Sequence, residues 1–302
     1  MTIAPTPVPP SHPEPPPAVG VGAGEFAPAP ARVPLRLSRG LDPAALFTVV
    51  RITVARQSRG LRLAVLAALF SLPIVFALLI RSLPGNPRPA LAEGGLVLGL
   101  IFTALVPLSA LLLSSGMVQD DVEEQTLTYL LIRPIARWAI YLAKLIGTVI
   151  VSWARAAVFA IATLMVIYWG NEHMRGPALA VRAATVAGML ALAMCAYSAI
   201  FGALSLLVRR TLVVGAIYIV AFEGIFGSID FVIREATVVY YIRVLAVRWL
   251  DIPGAEWSID PETAVSASTC VIVLLSIASA FAAIGAITFA TREFRVKTPE
   301  GN

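Results

Sequence analysis

Apolar residues run along this chain in stretches of twenty or so, separated by short polar segments. A helix needs about 20 such residues to cross the hydrocarbon core of a bilayer. Six stretches meet that requirement, at 63–81, 95–118, 140–169, 183–208, 211–229 and 264–290. The third is long enough to begin before the bilayer. Pro73 and Pro107 lie inside the first two, which predicts a bend or a local unwinding in each. Before the first span, residues 41–62 set Leu46, Phe47, Val50 and Val54 against Arg51, Arg56, Arg59 and Arg62. That pattern predicts an amphipathic helix lying in the membrane interface with its cations towards headgroups.

The expected fold is therefore an all-α membrane protein, with six transmembrane helices preceded by an interfacial helix. Lys and Arg placement sets the orientation. With the N-terminus inside, fifteen basic residues fall on the cytoplasmic side and seven outside, while Arg155 stays within a span. Both termini and the segment 119–144 are then cytoplasmic. The longest outer segment, 230–262, is too apolar for a free loop. It predicts a short helix or two on the outer mouth of the bundle. The last span carries Ser276, Ser279, Ala280, Ala282, Ala283 and Gly285, small residues that allow helices to approach closely.

Composition agrees with this reading. The chain is 58% hydrophobic and 14% charged, where a soluble domain carries about 25% charged residues. The net charge of +5 comes from cations spread over membrane-flanking loops, which argues against nucleic acid as a partner. Residues 1–40 differ from the rest. They hold half of the 22 prolines, mixed with Ala and Gly, and predict a disordered cytoplasmic tail without the apolar core of a signal peptide. A second short tail is expected at 298–302. Cys195 and Cys270 sit in apolar runs and read as packing residues; no Cys/His cluster has metal-ligand spacing.

One polar segment stands out between the second and third spans, QDDVEEQTLTYLLIRPIARWAIYLAK at 119–144. Leu127, Leu130 and Leu131 fall at i, i+3, i+4 on one helical face. Pro134 stops that helix, because it lacks an N–H and disfavours helix at Arg133. Arg137, Tyr141 and Lys144 then share one face of the next helix. A helix as short as the leucine segment is not stable alone in water, so its leucines need a partner.

The order Glu123-Glu124, Thr126-Leu127, Leu130-Leu131, Pro134-Ile135-Ala136-Arg137 and Lys144 resembles the permease subunits of ABC-2 type transporters. Family members more often carry Gly before Thr-Leu and Ser before Arg, where this chain has Gln125 and Ala136. The interfacial helix, the six-span count and the acid in the fifth span extend the resemblance over residues 41–297, with 63–297 as the six-span permease domain. The resemblance implies a homodimer or heterodimer of permeases in a bacterial plasma membrane, working with cytoplasmic ATPase subunits. The short helix would dock on the ATPase, with Leu127, Leu130 and Leu131 as anchors and Glu123 and Glu124 capping the helix or meeting cations. Thr126, Arg133, Pro134 and Arg137 complete the coupling segment. Arg137 and Lys144 would sit at the headgroup level.

The chain has no GxxxxGK followed by Ser or Thr, no HExxH and no GxSxG. ATP is then bound by a partner, and the chain itself is expected to need no cofactor and to be no enzyme. The family is mostly exporters, which favours export. Two other readings are a membrane partner that transmits ATPase motion without carrying a solute, and an intramembrane enzyme acting on lipid. The latter would need a nucleophile, a metal or an acid–base pair at a membrane face.

Ionisable residues inside a span are functional candidates by default. Arg155 lies eleven residues past Lys144, about 17 Å along the helix, and Glu223 thirteen past Arg210, about 20 Å. Their similar depth predicts a buried pair. Thr148, Ser152 and Arg155 follow one another at helical spacing, which predicts that Arg155 points into the bundle.

Overall fold

The computed structural model describes residues 43–82, 89–123, 136–171, 174, 176–208, 210–225, 235, 237–252, 257, 259–260 and 264–291, excluding the side chains of 118–123 and 225. The tails at 1–40 and 298–302 lie outside these, as do residues 124–135. The described elements are helices: α1 Pro43–Gln57, α2 Leu61–Ser82, α3 Pro89–Glu93, the π-helical π1 Gly94–Leu105, α4 Val106–Glu123, α5 Arg137–Ile167, α6 Pro177–Leu207, α7 Thr211–Tyr218, π2 Ile219–Ile225, α8 Val238–Leu250 and α9 Ala267–Thr291.

Among the described residues, five helices are long and apolar enough to cross a membrane: Leu61–Ser82, Pro89–Met117, Arg137–Ile167, Pro177–Leu207 and Ala267–Thr291. The fifth predicted span, 211–229, is not among them. Thr211–Gly224 is a shorter apolar helix. Residues 226–229 of that predicted span lie outside the described residues, so the described residues hold five long apolar helices and one shorter one.

α6 is the central element, packing on α4, α5, α8 and α9. It is the most buried of the spans, whereas α2 and α9 are the least. Its inner face carries Met189, Leu190, Ala193, Met194 and Phe201, all fully buried. α8 forms in the segment 230–262 where a helix is expected, and it joins the core, with Val244, Leu245 and Ala246 fully buried.

The two prolines behave differently. α2 continues as a helix through Pro73. Before Pro107 the chain adopts the wider turns of π1, which end at Leu105. Proline has no N–H to donate and its ring crowds the carbonyl four residues back, so an α-helical ladder cannot pass through Pro107 unchanged. Thr103 Oγ1 donates to Leu98 O at 3.0 Å, five residues back.

A helix does form before the first span, over a shorter range than 41–62. It ends at Gln57, and Gly60, at φ +97°, turns the chain into α2. Val49 and Thr53 are buried against α5, where Gly147 lets Thr53 and the Val50 carbonyl come close. Phe47, Ile52, Arg51 and Arg56 face outward. Among the small residues of α9, Gly285 makes the close approach. A Cβ there would lie 2.1 Å from Tyr141 Oη, so the Tyr141 ring fills the space a side chain would need. Ser276, Ser279, Ala280 and Ala283 are exposed.

Candidate functional site

Charged side chains inside an apolar bundle are held wherever partners can be brought to them, and here helix α8 is the organising element. Thr237 caps its first turn by accepting from Tyr240 N. Glu223, from π2, accepts a hydrogen bond from Val239 N at 3.0 Å and one from the Tyr218 hydroxyl at 3.2 Å. An anion at a helix N-terminus meets unsatisfied N–H groups and the positive end of the helix dipole. The other end of α8 is closed by a cation. Arg182 of α6 donates through Nη2 to Leu250 O at 2.9 Å, the last residue of the helix. Asp251 follows in the left-handed conformation, at φ +49°.

Arg182 is itself paired. Its Nε lies 2.9 and 2.8 Å from the two oxygens of Glu93, and its Nη2 2.8 Å from one of them. Glu93 is fully buried at the end of α3, where it also accepts from the Tyr168 hydroxyl. The Tyr168 ring lies under the guanidinium, 5.7 Å from its carbon. Tyr168 follows the last residue of α5. Burial and the Glu93 carboxylate raise its hydroxyl above its ordinary range, which keeps it a donor. This cluster joins the start of the second span, the end of α5, the start of α6 and the end of α8. Beside it opens a cavity of about 460 Å³ lined by Met174, Pro177, Val181, Arg182, Thr185 and Trp249, among others.

Sequence reasoning missed this cluster, because Arg182 and Glu93 lie at the edges of apolar runs, where a charge ordinarily meets water. The signal was there: Glu93 is the sole acid between Ser82 and Val118, at the head of an apolar run.

Arg155 and Glu223, by contrast, are not brought together. All three guanidinium nitrogens of Arg155 are buried without a hydrogen-bond partner among the described residues, and Glu223 is engaged by α8 and Tyr218. The principal neighbours of π2 are α7 and π1, whereas α5 packs on α1, α2, α4, α6, α9 and π1. Equal depth along two helices fixes height in the bundle. It leaves open which helices are neighbours.

The polar stripe on α5 does face inward, as expected: Lys144, Thr148, Ser152 and Arg155 are all buried. Lys144 Nζ donates to Met117 O of α4, the last residue of the second span, at 3.1 Å. Arg137 is exposed at the first residue of α5. Glu123 ends α4 with its side chain undescribed. Glu124, Thr126, Leu127, Leu130, Leu131, Arg133 and Pro134 lie outside the described residues.

Long apolar helices packed around a shared core define a multi-pass helical membrane protein. A family model described as "ABC-2 family transporter protein" matches residues 25–238, and the chain belongs to that family. It is thus a membrane component of an ABC transporter, a permease rather than a catalytic subunit. No curated protein gives a significant match.

Proposed function

We propose that this chain is the transmembrane half of an exporter in a bacterial plasma membrane, driven by a separate ATPase that docks on residues 119–144. The observation that carries the reading is the Lys144–Met117 tie, taken with the family match. It joins α5 to α4 beside the segment that connects them. A push on that segment would move both helices together rather than bend one against the other. α4 and α5 both pack on the central α6, so displacement has a route into the bundle.

In this reading Leu127, Leu130 and Leu131 are the buried anchors of the docking helix. Glu123 and Glu124 meet its amino end or cations on the ATPase. Thr126, Arg133, Pro134 and Arg137 set where the docking helix stops and α5 begins. Two such chains form the transport path, ATP stays on the partner, and the chain needs no cofactor of its own. The basic residues put both termini inside, with α1 in the cytoplasmic interface.

Co-expression with the cognate ATPase tests the reading. Replacing Leu127, Leu130 and Leu131 by Asp should abolish co-purification while membrane insertion is kept. Each leucine buried at an interface contributes about 1.5–3 kcal/mol. Recovery of the ATPase at wild-type levels by the triple variant would sink the docking role.

A further inference from the structure

The cavity beside the Arg182 cluster lies where a membrane passes from headgroups to hydrocarbon. α6 has 31 residues, about 46 Å at 1.5 Å per residue. A bilayer is about 40–45 Å thick with its interfacial regions and about 30 Å across the hydrocarbon, which leaves roughly 5–8 Å for each interface. Arg182 follows Pro177, the first residue of α6, by about 8 Å of helix, and so stands at that boundary. Exposed tryptophans mark the same level, as they do where a membrane meets water. Trp249 is 42% exposed on the cavity wall, and Trp169, next to Tyr168, is 72% exposed.

The cavity has room for a ligand. Its volume of about 460 Å³ falls within the range of small-ligand clefts, about 300–1,000 Å³. Met174, Pro177, Ala178 and Val181 give it an apolar wall, and Val181, 67% exposed, brings that wall to the surface. The polar groups on the lining are already engaged. Arg182 is held by Glu93 and by Leu250 O, and Thr185 Oγ1 donates to Val181 O at 3.0 Å. A charged ligand would give up its hydration here and find the one cation on the lining already answered. An apolar chain meets no such cost, and its burial is favourable. The Trp249 indole adds an N–H donor beside the apolar wall, the pairing that suits a ligand with one apolar end and one polar end.

We propose that this cavity is a lipid site, lodging one acyl chain of a glycerolipid whose head carries no net charge, with an ester oxygen accepting from the Trp249 indole N–H. The site goes beyond the permease reading. Its test uses no ATPase, so either idea can fail without the other.

The full chain, held in an amphipathic polymer without detergent, is labelled with a monoacylglycerol that carries a diazirine in its acyl chain. Peptide mass spectrometry locates the label. Labelling within residues 177–185 should saturate with probe, whereas labelling of the outward face of α2 should rise in proportion to it. Decanoyl glycerol should compete at 177–185, and decanoate and decyltrimethylammonium about tenfold less well. Ala178→Phe, which fills the cavity, should cut the saturable yield about fivefold and leave the α2 label unchanged. Val181→Trp fills the same cavity from the next turn and repeats the test if Ala178→Phe lowers the unfolding midpoint. Trp249→Phe keeps an aromatic wall but loses the donor. It should raise the half-competing concentration of decanoyl glycerol about threefold and leave that of decane as it was.

Four outcomes overturn the assignment. A label at 177–185 that only rises in proportion to probe, as on α2, is contact with bulk lipid. Wild-type yield in both filled variants puts the binding elsewhere. Decanoate or decyltrimethylammonium competing as well as decanoyl glycerol shows a lining that is not neutral. Equal competition by decanoyl glycerol in Trp249→Phe and wild type removes the ester from the indole.

Discussion

Arg182 and Arg155 are both arginines on membrane-spanning helices, and both are largely buried, yet their surroundings are opposite. Arg182 has a carboxylate, a helix-terminal carbonyl and an aromatic ring arranged about one guanidinium. Arg155 has hydroxyls whose protons are already committed, and no described anion. The first arrangement is what structural support requires, because each donor and acceptor is met within the fold. The second leaves three buried nitrogens without a hydrogen-bond partner among the described residues. Burial of a charge does not tell these apart; the fate of its hydrogen bonds does.

The contrast is sharpest when the paired cluster is broken. Glu93→Gln or Arg182→Met alone leaves an uncompensated buried charge, and each should cost about 3–5 kcal/mol. The double variant should lose less than the sum of the two, measured as unfolding midpoint and folded yield in detergent. Strict additivity would show that the two side chains act independently. Tyr168→Phe comes next in size. It keeps the ring under Arg182 but removes the donor to Glu93, a loss of about 1.5–3 kcal/mol for a bond to a charged group. If Glu93→Gln is already in place, the same change should matter much less, and an undiminished effect would argue that the hydroxyl acts elsewhere.

The smallest effect is expected at the amino end of α8. Glu223→Gln keeps an acceptor for Val239 N and loses the charge that faces the helix dipole, a cost of about 0.3–2 kcal/mol. Hydrogen exchange should show the first turn of α8 opening sooner in this variant while its last turn, held by Arg182, keeps its protection. Uniform loss along α8 would mean that the two ends are not held separately. Arg155→Met, near neutral for stability, marks the opposite limit of the series.

Several features could be read along the chain because they depend on local pattern. The apolar runs at 63–81, 95–118, 140–169, 183–208 and 264–290 correspond to the five long apolar helices. The helix before the first span, the disturbance at Pro107 and the inward stripe of Thr148, Ser152 and Arg155 were legible from spacing and residue type. Family membership followed from a loop whose order of acids, leucines, proline and basic residues survives two departures.

What pairs with what was not legible. Helical rise predicts similar heights for Arg155 and Glu223, but lateral position depends on which faces pack, and packing kept them apart. Glu93 and Arg182 are 89 residues apart, and each sits at the edge of an apolar run, where a charge ordinarily meets water. Only the folded chain brings them together, with Arg182 also meeting the Leu250 carbonyl at the end of α8. Sequence by itself determined which segments are helices and how long the spanning ones are, because hydrophobic length and backbone hydrogen bonding are properties of a single segment. The tertiary structure alone decided which charge became a strut and which was left open, because a buried ion is defined by the groups that other segments bring to it.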